Sequence, residues 1–157
     1  MDKPYLQPAN LWRKENNDIK CNLCRRGCIL KPGRRGACRT RQNLDGELFT
    51  LIYGQLIVLE SRPIEIKPFF HFHPGSTALT YCAPSCNLRC RWCQNWHLSR
   101  REPYTSTSRG DFDSPAYVSP ERLIALAQSA GDQGVCASFT EPTLLHEYNL
   151  DVFPLAK

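Results

Sequence analysis

No hydrophobic run in this chain is long enough to cross a bilayer. The longest aliphatic stretch is residues 56–59, whereas a spanning helix needs about 20 apolar residues. Residues 1–9 carry Asp2, Lys3, Pro4 and Pro8 in place of an apolar signal core, so no secretion signal is read there. Repeats and low-complexity tracts are also missing. These absences predict a soluble, cytoplasmic protein with no membrane partner. Acidic residues are scarce in the first part: residues 1–101 hold 17 Lys and Arg against 7 Asp and Glu, while residues 102–157 hold 3 against 8.

What the chain does have is cysteine. Nine cysteines among 157 residues, without a signal segment, point to metal ligation rather than disulfides, because cytosolic thiols are kept reduced. The odd count points the same way. The basic half is also the cysteine half, and arginines beside thiolate-ligated metal offset its negative charge. Arg25, Arg26, Arg34, Arg35, Arg39 and Arg41 would alternatively serve a nucleic-acid surface. No aromatic or Gly-rich RNA-binding signature accompanies them, which argues against that partner.

The tightest chemical constraint is Cys86-Asn-Leu-Arg-Cys90-Arg-Trp-Cys93. Three thiols cannot close a tetrahedral zinc site, but they suit a cubane 4Fe-4S cluster in which the fourth iron stays open for a small molecule. A second set, Cys21, Cys24, Cys28 and Cys38, is spaced CxxCxxxCx9C with Gly27, Gly33 and Gly36 between the thiols. It suits structural zinc, with a second iron-sulfur cluster or a metal-free reduced set as the other readings. Cys82, at a strand end, and Cys136, inside a predicted strand, read as buried, inert thiols. His71 and His73 would share one face if extended, but beside three phenylalanines they read as packing residues. His97 follows the cysteine loop, and His146 reads as a surface or satisfied core residue.

Along the chain, a short helix is predicted at residues 9–15. Asp45-Gly46 marks a hairpin turn followed by alternating Leu48, Thr50 and Ile52, with a further strand at 56–60. Residues 61–76 read as an irregular connector whose Phe69, Phe70 and Phe72 pack against a core. A strand at 77–81 leads into the three-cysteine loop, and residues 100–116 are polar. Ser119 caps a helix with Pro120 at its first position and Leu123, Leu126, Ala127 and Ala130 on one stripe, ended by Gly131. A strand at 135–139 follows, then a helix over 143–157 in which Pro154 forces a break or a restart after Asp151. Strand, helix, strand implies βα units on a parallel sheet, and two such strands cannot close a barrel.

The loop Cys86-Asn-Leu-Arg-Cys90-Arg-Trp-Cys93-Gln94-Asn95 after a short strand resembles the cluster loop of the radical S-adenosylmethionine superfamily. Ser138-Phe139-Thr140-Glu141-Pro142-Thr143 resembles the motif of the following strand. The likeness extends to Cys21-Asn-Leu-Cys24-Arg-Arg-Gly-Cys28, Lys31-Pro-Gly-Arg-Arg-Gly-Ala-Cys38, Tyr53-Gly54, Pro63-Ile-Glu65-Ile-Lys67-Pro68, His71-Phe-His-Pro-Gly-Ser76 and Cys93-Gln-Asn-Trp96. Together these are similar to the AmmeMemoRadiSam-type enzymes, relatives of the pyruvate formate-lyase activating enzymes. One departure is Ala83-Pro84-Ser85, where such loops more often place a glycine before the first cluster cysteine.

The resemblance implies a 4Fe-4S cluster on Cys86, Cys90 and Cys93, with S-adenosylmethionine on the open iron. Trp92 would lie against its adenine and Glu141 would hold its amino group. Reductive cleavage would yield a 5′-deoxyadenosyl radical that takes hydrogen from a small-molecule or protein substrate, fed by a flavodoxin- or ferredoxin-type electron donor. The expected architecture is α/β: a small cysteine-rich, β-containing module with its connector over residues 1–76, then the N-terminal part of a partial (β/α) barrel over residues 77–157. Family members are about twice as long. The alternatives are a zinc module that binds nucleic acid or protein, and a cluster-binding fragment without turnover.

Overall fold

The computed structural model describes residues 4–104 and 117–157, which form three small sheets and three helices. The first sheet has the order β1 (Gln7–Pro8), β6 (Glu47–Thr50), β5 (Arg41–Leu44), and the second runs β2 (Trp12–Glu15), β3 (Asp18–Cys21), β4 (Ile29–Leu30). Both are antiparallel. The β5–β6 hairpin turns at Asp45-Gly46, where both residues take positive φ (52° and 85°). That is the requirement of a tight hairpin whose twist matches its strands.

The expected helix at residues 9–15 does not form. Pro8 is paired with Phe49, Leu11 takes φ 56°, and Trp12–Glu15 pairs with β3 across a turn in which Asn16 has φ 58°. A left-handed residue in the middle stops helix propagation, and the strand gains backbone bonds to β3 instead.

The third sheet positions the site. β7 (Val58–Pro63) runs antiparallel to β8 (Thr77–Cys82), from Val58 opposite Cys82 to Pro63 opposite Thr77. β9 (Val135–Ala137) lies parallel to β8, from Leu79 opposite Val135 to Tyr81 opposite Ala137. Between β8 and β9 in sequence comes α2 (Pro120–Ser129), so β8, α2 and β9 make the expected βαβ unit. Ser119 caps α2 by accepting from the Arg122 amide at 3.2 Å, and Gly131 follows its end with φ 72°. The chain therefore mixes sheet and helix as its sequence implied. Among the described residues only one strand pair is parallel and no barrel closes.

One hydrophobic core runs through all of this. It joins Ile19 and Leu48 of the N-terminal sheets, and Ile52 just after β6, to Leu79 and Tyr81 of β8, Leu123 and Ala127 of α2, and Tyr148 and Val152 of α3 (His146–Leu155). Tyr148 stacks edge-on against both Tyr53 and Tyr81, with ring centroids 5.3 and 6.0 Å apart. Ala130, placed on the stripe of α2 by periodicity, is exposed. The expected break after Asp151 does not occur either. Pro154 sits inside the last turn of α3, where its missing N–H costs one terminal hydrogen bond and the exposed carbonyl can turn to water.

The connector is also more ordered than its sequence suggested, because β7 extends to Pro63 and a 3-10 turn covers Ile64–Ile66. Phe69, Phe70 and Phe72 do not pack into the core; each is more than half exposed. Most of the polar stretch, residues 105–116, lies outside the described residues. No helix among the described residues is long and apolar enough to cross a membrane.

Candidate functional site

Parallel pairing brings the ends of β8 and β9 to one edge of the sheet, and the loops that leave them are stitched together. The Ser138 amide donates to the Tyr81 carbonyl at 3.0 Å, the Thr140 hydroxyl to the Ala83 carbonyl at 3.2 Å, and the Asn95 side-chain amide to the Phe139 carbonyl at 3.1 Å. The loop carrying Cys86, Cys90 and Cys93 and the turn carrying Glu141 thus share one mouth. This is the position that a βαβ unit offers to ligands, at the carboxyl ends of its strands.

Within the cysteine loop, Cys90 is exposed while Cys86 and Cys93 are half-buried. The Leu88 amide points at Cys86 Sγ at 3.4 Å, and Ser99 Oγ of the short helix α1 (Trp96–Ser99) lies 3.6 Å from Cys93 Sγ. Trp92 has 86% of its surface in solvent, so it is no core aromatic. Glu141 caps the following 3-10 turn, Pro142–Leu145, by accepting from the amide and hydroxyl of Thr143. The structure therefore gives Glu141 a local role as well as a place at the mouth.

Ser85, immediately before Cys86, takes the left-handed conformation that favours glycine, φ 77°. Its hydroxyl donates to the Cys38 carbonyl at 2.7 Å and accepts from Arg39 at 3.2 Å, bonds that hold a strained residue in place. Arg26 adds a 3.0 Å bond to the Asn87 carbonyl. The basic N-terminal segment thus grips the cysteine loop through two of the arginines that the sequence offered to nucleic acid. A third, Arg41, is not a surface residue at all: it is fully buried, paired with Glu147 of α3 and bonded to the Asn10 carbonyl at 2.7 Å.

Cys21, Cys24, Cys28 and Cys38 line one small cavity, together with Leu23, Leu30, Gly36, Arg26, Arg41, Asn87 and Leu144. All nine cysteines are free thiols. Among the described residues, neither cysteine set has three donors already assembled around a point where a metal ion would sit.

Cys82 is buried, and burial pushes its thiol up to about 12 despite a bond from Thr140, which fits an inert residue rather than a fourth ligand. Cys136 is only half-buried, its thiol also raised by burial. It lines a groove of about 520 Å³ along the outer edge of β9 that also takes in His146 and Phe153. Beside it Lys67 is buried, its ammonium lowered by desolvation and placed 5.7 Å from the centre of the Phe139 ring. His71 and His73 stand exposed, and His73 has φ 47°, so the extended arrangement that would pair them is absent. His97 is exposed beside Trp96.

Sequence reasoning missed Ser85, Asn87, Asn95 and Lys67 as site residues. Ser85 left a signal as part of the Ala83-Pro84-Ser85 departure; Asn87, Asn95 and Lys67 lie within the quoted motifs, but their partners are remote in the chain and no local pattern points to them.

No family model matches the chain, and no solved structure matches it. It is 34% identical over 153 residues, 97% of its length, to a protein of Methanocaldococcus jannaschii that is described only as uncharacterized. The chain spans 44% of that protein.

Proposed function

We propose that this chain is the cluster-binding portion of a radical S-adenosylmethionine enzyme of the AmmeMemoRadiSam type, with β8, α2 and β9 as the opening units of its barrel. The observation that carries the reading is the shared mouth: parallel β8 and β9 bring a CxxxCxxC loop and an acidic turn to the same sheet edge.

The donor chemistry fits the group. Cys86, Cys90 and Cys93 are three soft thiolate ligands on one loop, and an amide already points at the first sulfur, the kind of bond that tunes iron-sulfur centres. Four ligands would leave no iron open. Cys82 is kept from being the fourth by its burial on β8.

When bound, a 4Fe-4S cluster with S-adenosylmethionine supplies the reductive cleavage that gives a 5′-deoxyadenosyl radical for hydrogen abstraction. This chain's residues bind and orient. Trp92 offers an unpacked indole face for adenine. Glu141 offers a carboxylate for the amino group, a charge-assisted contact. Asn95 and Ser85 hold the loop ends to the turn after β9 and to the N-terminal segment. An electron donor of the flavodoxin or ferredoxin type is the partner this reading requires, and the substrate is a small molecule or a protein.

The test is 5′-deoxyadenosine release from S-adenosylmethionine under anaerobic, reducing conditions. Release that Cys90→Ala abolishes supports the reading; an intact cluster without release leaves a cluster-binding fragment.

A further inference from the structure

The four N-terminal cysteines reach one cavity from two separate turns. In the first, the Cys21 amide donates to the Cys28 carbonyl at 2.9 Å and closes the loop between β3 and β4, while Gly27 (φ 53°) donates to the Cys24 carbonyl at 3.1 Å. In the second, Gly36 and Arg39 form the turn that carries Cys38 into β5. Gly36 is where the turns touch: a Cβ there would lie 3.6 Å from Cys38 Sγ and 3.9 Å from Cys28 Sγ.

The space between the thiols is about 10 Å³. That is the scale of one small sphere rather than of an eight-atom cubane. Two of the lining residues carry an unsatisfied polar atom: Asn87 is buried with an unpartnered Oδ1, and the buried Arg41 has no hydrogen-bond partner for Nε. The Thr40 hydroxyl already donates to Cys38 Sγ at 3.2 Å.

We propose that Cys21, Cys24, Cys28 and Cys38 bind a single zinc ion, and that this site braces the loop carrying Cys86. Four thiolates on a divalent ion leave two negative charges; Arg26 lines the cavity to offset one of them, and Arg41, whose charge is paired with Glu147, adds an unpartnered Nε–H donor. Ligation at about 2.3 Å draws the two turns together. The brace follows from Asn87, which belongs to the Cys86 loop yet forms part of the cavity wall, and from the Ser85 bond to the Cys38 carbonyl. Zinc binding here does not depend on the proposed cluster chemistry.

The experiment measures zinc, iron and sulfide per chain in wild type, Cys24→Ser and Cys90→Ser, together with tryptic cleavage after Arg89 and Arg91. Expected are one zinc per chain in wild type and Cys90→Ser, none in Cys24→Ser, and cleavage several-fold faster in Cys24→Ser. Should Cys24→Ser not fold, titration of the metal-free wild type with cobalt(II) gives the same reading through thiolate-to-cobalt absorption at one equivalent. Iron in the four-cysteine set, with or without sulfide, overturns the proposal. So does a set that binds no metal, or cleavage that zinc loss leaves unchanged. A chain with zinc but no iron supports this site while removing the radical-enzyme reading.

Discussion

Arg41 and Glu147 form a buried ion pair across 106 positions of sequence, joining β5 of the N-terminal segment to the first turn of α3. Glu147 Oε1 also accepts from the Asn10 amide at 2.8 Å, so one carboxylate ties three segments together. Removing one partner strands a buried charge, and Arg41→Ala or Glu147→Ala is expected to cost about 3–5 kcal/mol. Arg41→Met combined with Glu147→Leu should recover most of that loss. Urea denaturation midpoints of the three variants check it.

Ser85 gives an ordering rather than a single value. Ser85→Ala keeps the left-handed conformation and orphans the Cys38 carbonyl, a loss of about 1–3 kcal/mol. Ser85→Gly loses the same bond but relieves about 1 kcal/mol or more of backbone strain. Both the wild type and Ser85→Gly should therefore be more stable than Ser85→Ala, by thermal unfolding.

Among the described glycines, Gly54 is the one least tolerant of a side chain. It has φ 64°, and a Cβ there would meet the Val118 carbonyl oxygen at 2.6 Å and the Tyr117 ring at 2.7 Å. Its own carbonyl accepts from the Val118 amide at 2.9 Å, so retreat breaks a bond. Gly54→Ala is expected to destabilise by about 3 kcal/mol or more, read as a lowered urea midpoint.

Cys82 sets a pH dependence. Its folded pKa is raised to about 12 by burial, above the ordinary thiol value of about 8.5. The folded state holds the proton more tightly. Its contribution to stability is thus complete below about 8.5 and is lost as pH climbs toward about 12. Cys82→Ala should flatten the alkaline limb of a stability–pH curve. In wild type, alkylation at pH 8 should reach the exposed Cys90 first and Cys82 last; rapid labelling of Cys82 would contradict its burial.

Local signals were legible where one short segment decides the outcome. The Asp45-Gly46 hairpin, the Ser119-Pro120 helix start and the strand leading to Cys86 all follow from neighbouring residues, and all are present. Residues 9–15 misled because Trp12 and the charges around it fit a helix until β3 offers a partner strand. Phe69, Phe70 and Phe72 misled because apolar content predicts burial only where a partner surface exists. At the site, the cysteine loop announced itself by spacing, whereas the Arg41–Glu147 pair, the Ser85–Cys38 bond and the Asn87 wall arise from contacts between distant segments. Periodicity carries no trace of them.

The most direct test of the cluster assignment is electron paramagnetic resonance of the anaerobically reconstituted, dithionite-reduced chain, with and without S-adenosylmethionine. The account predicts a reduced 4Fe-4S signal whose g-values shift when S-adenosylmethionine is added and which Cys90→Ala removes. A chain that takes up no iron and sulfide, or a signal indifferent to both the ligand and the substitution, would contradict it.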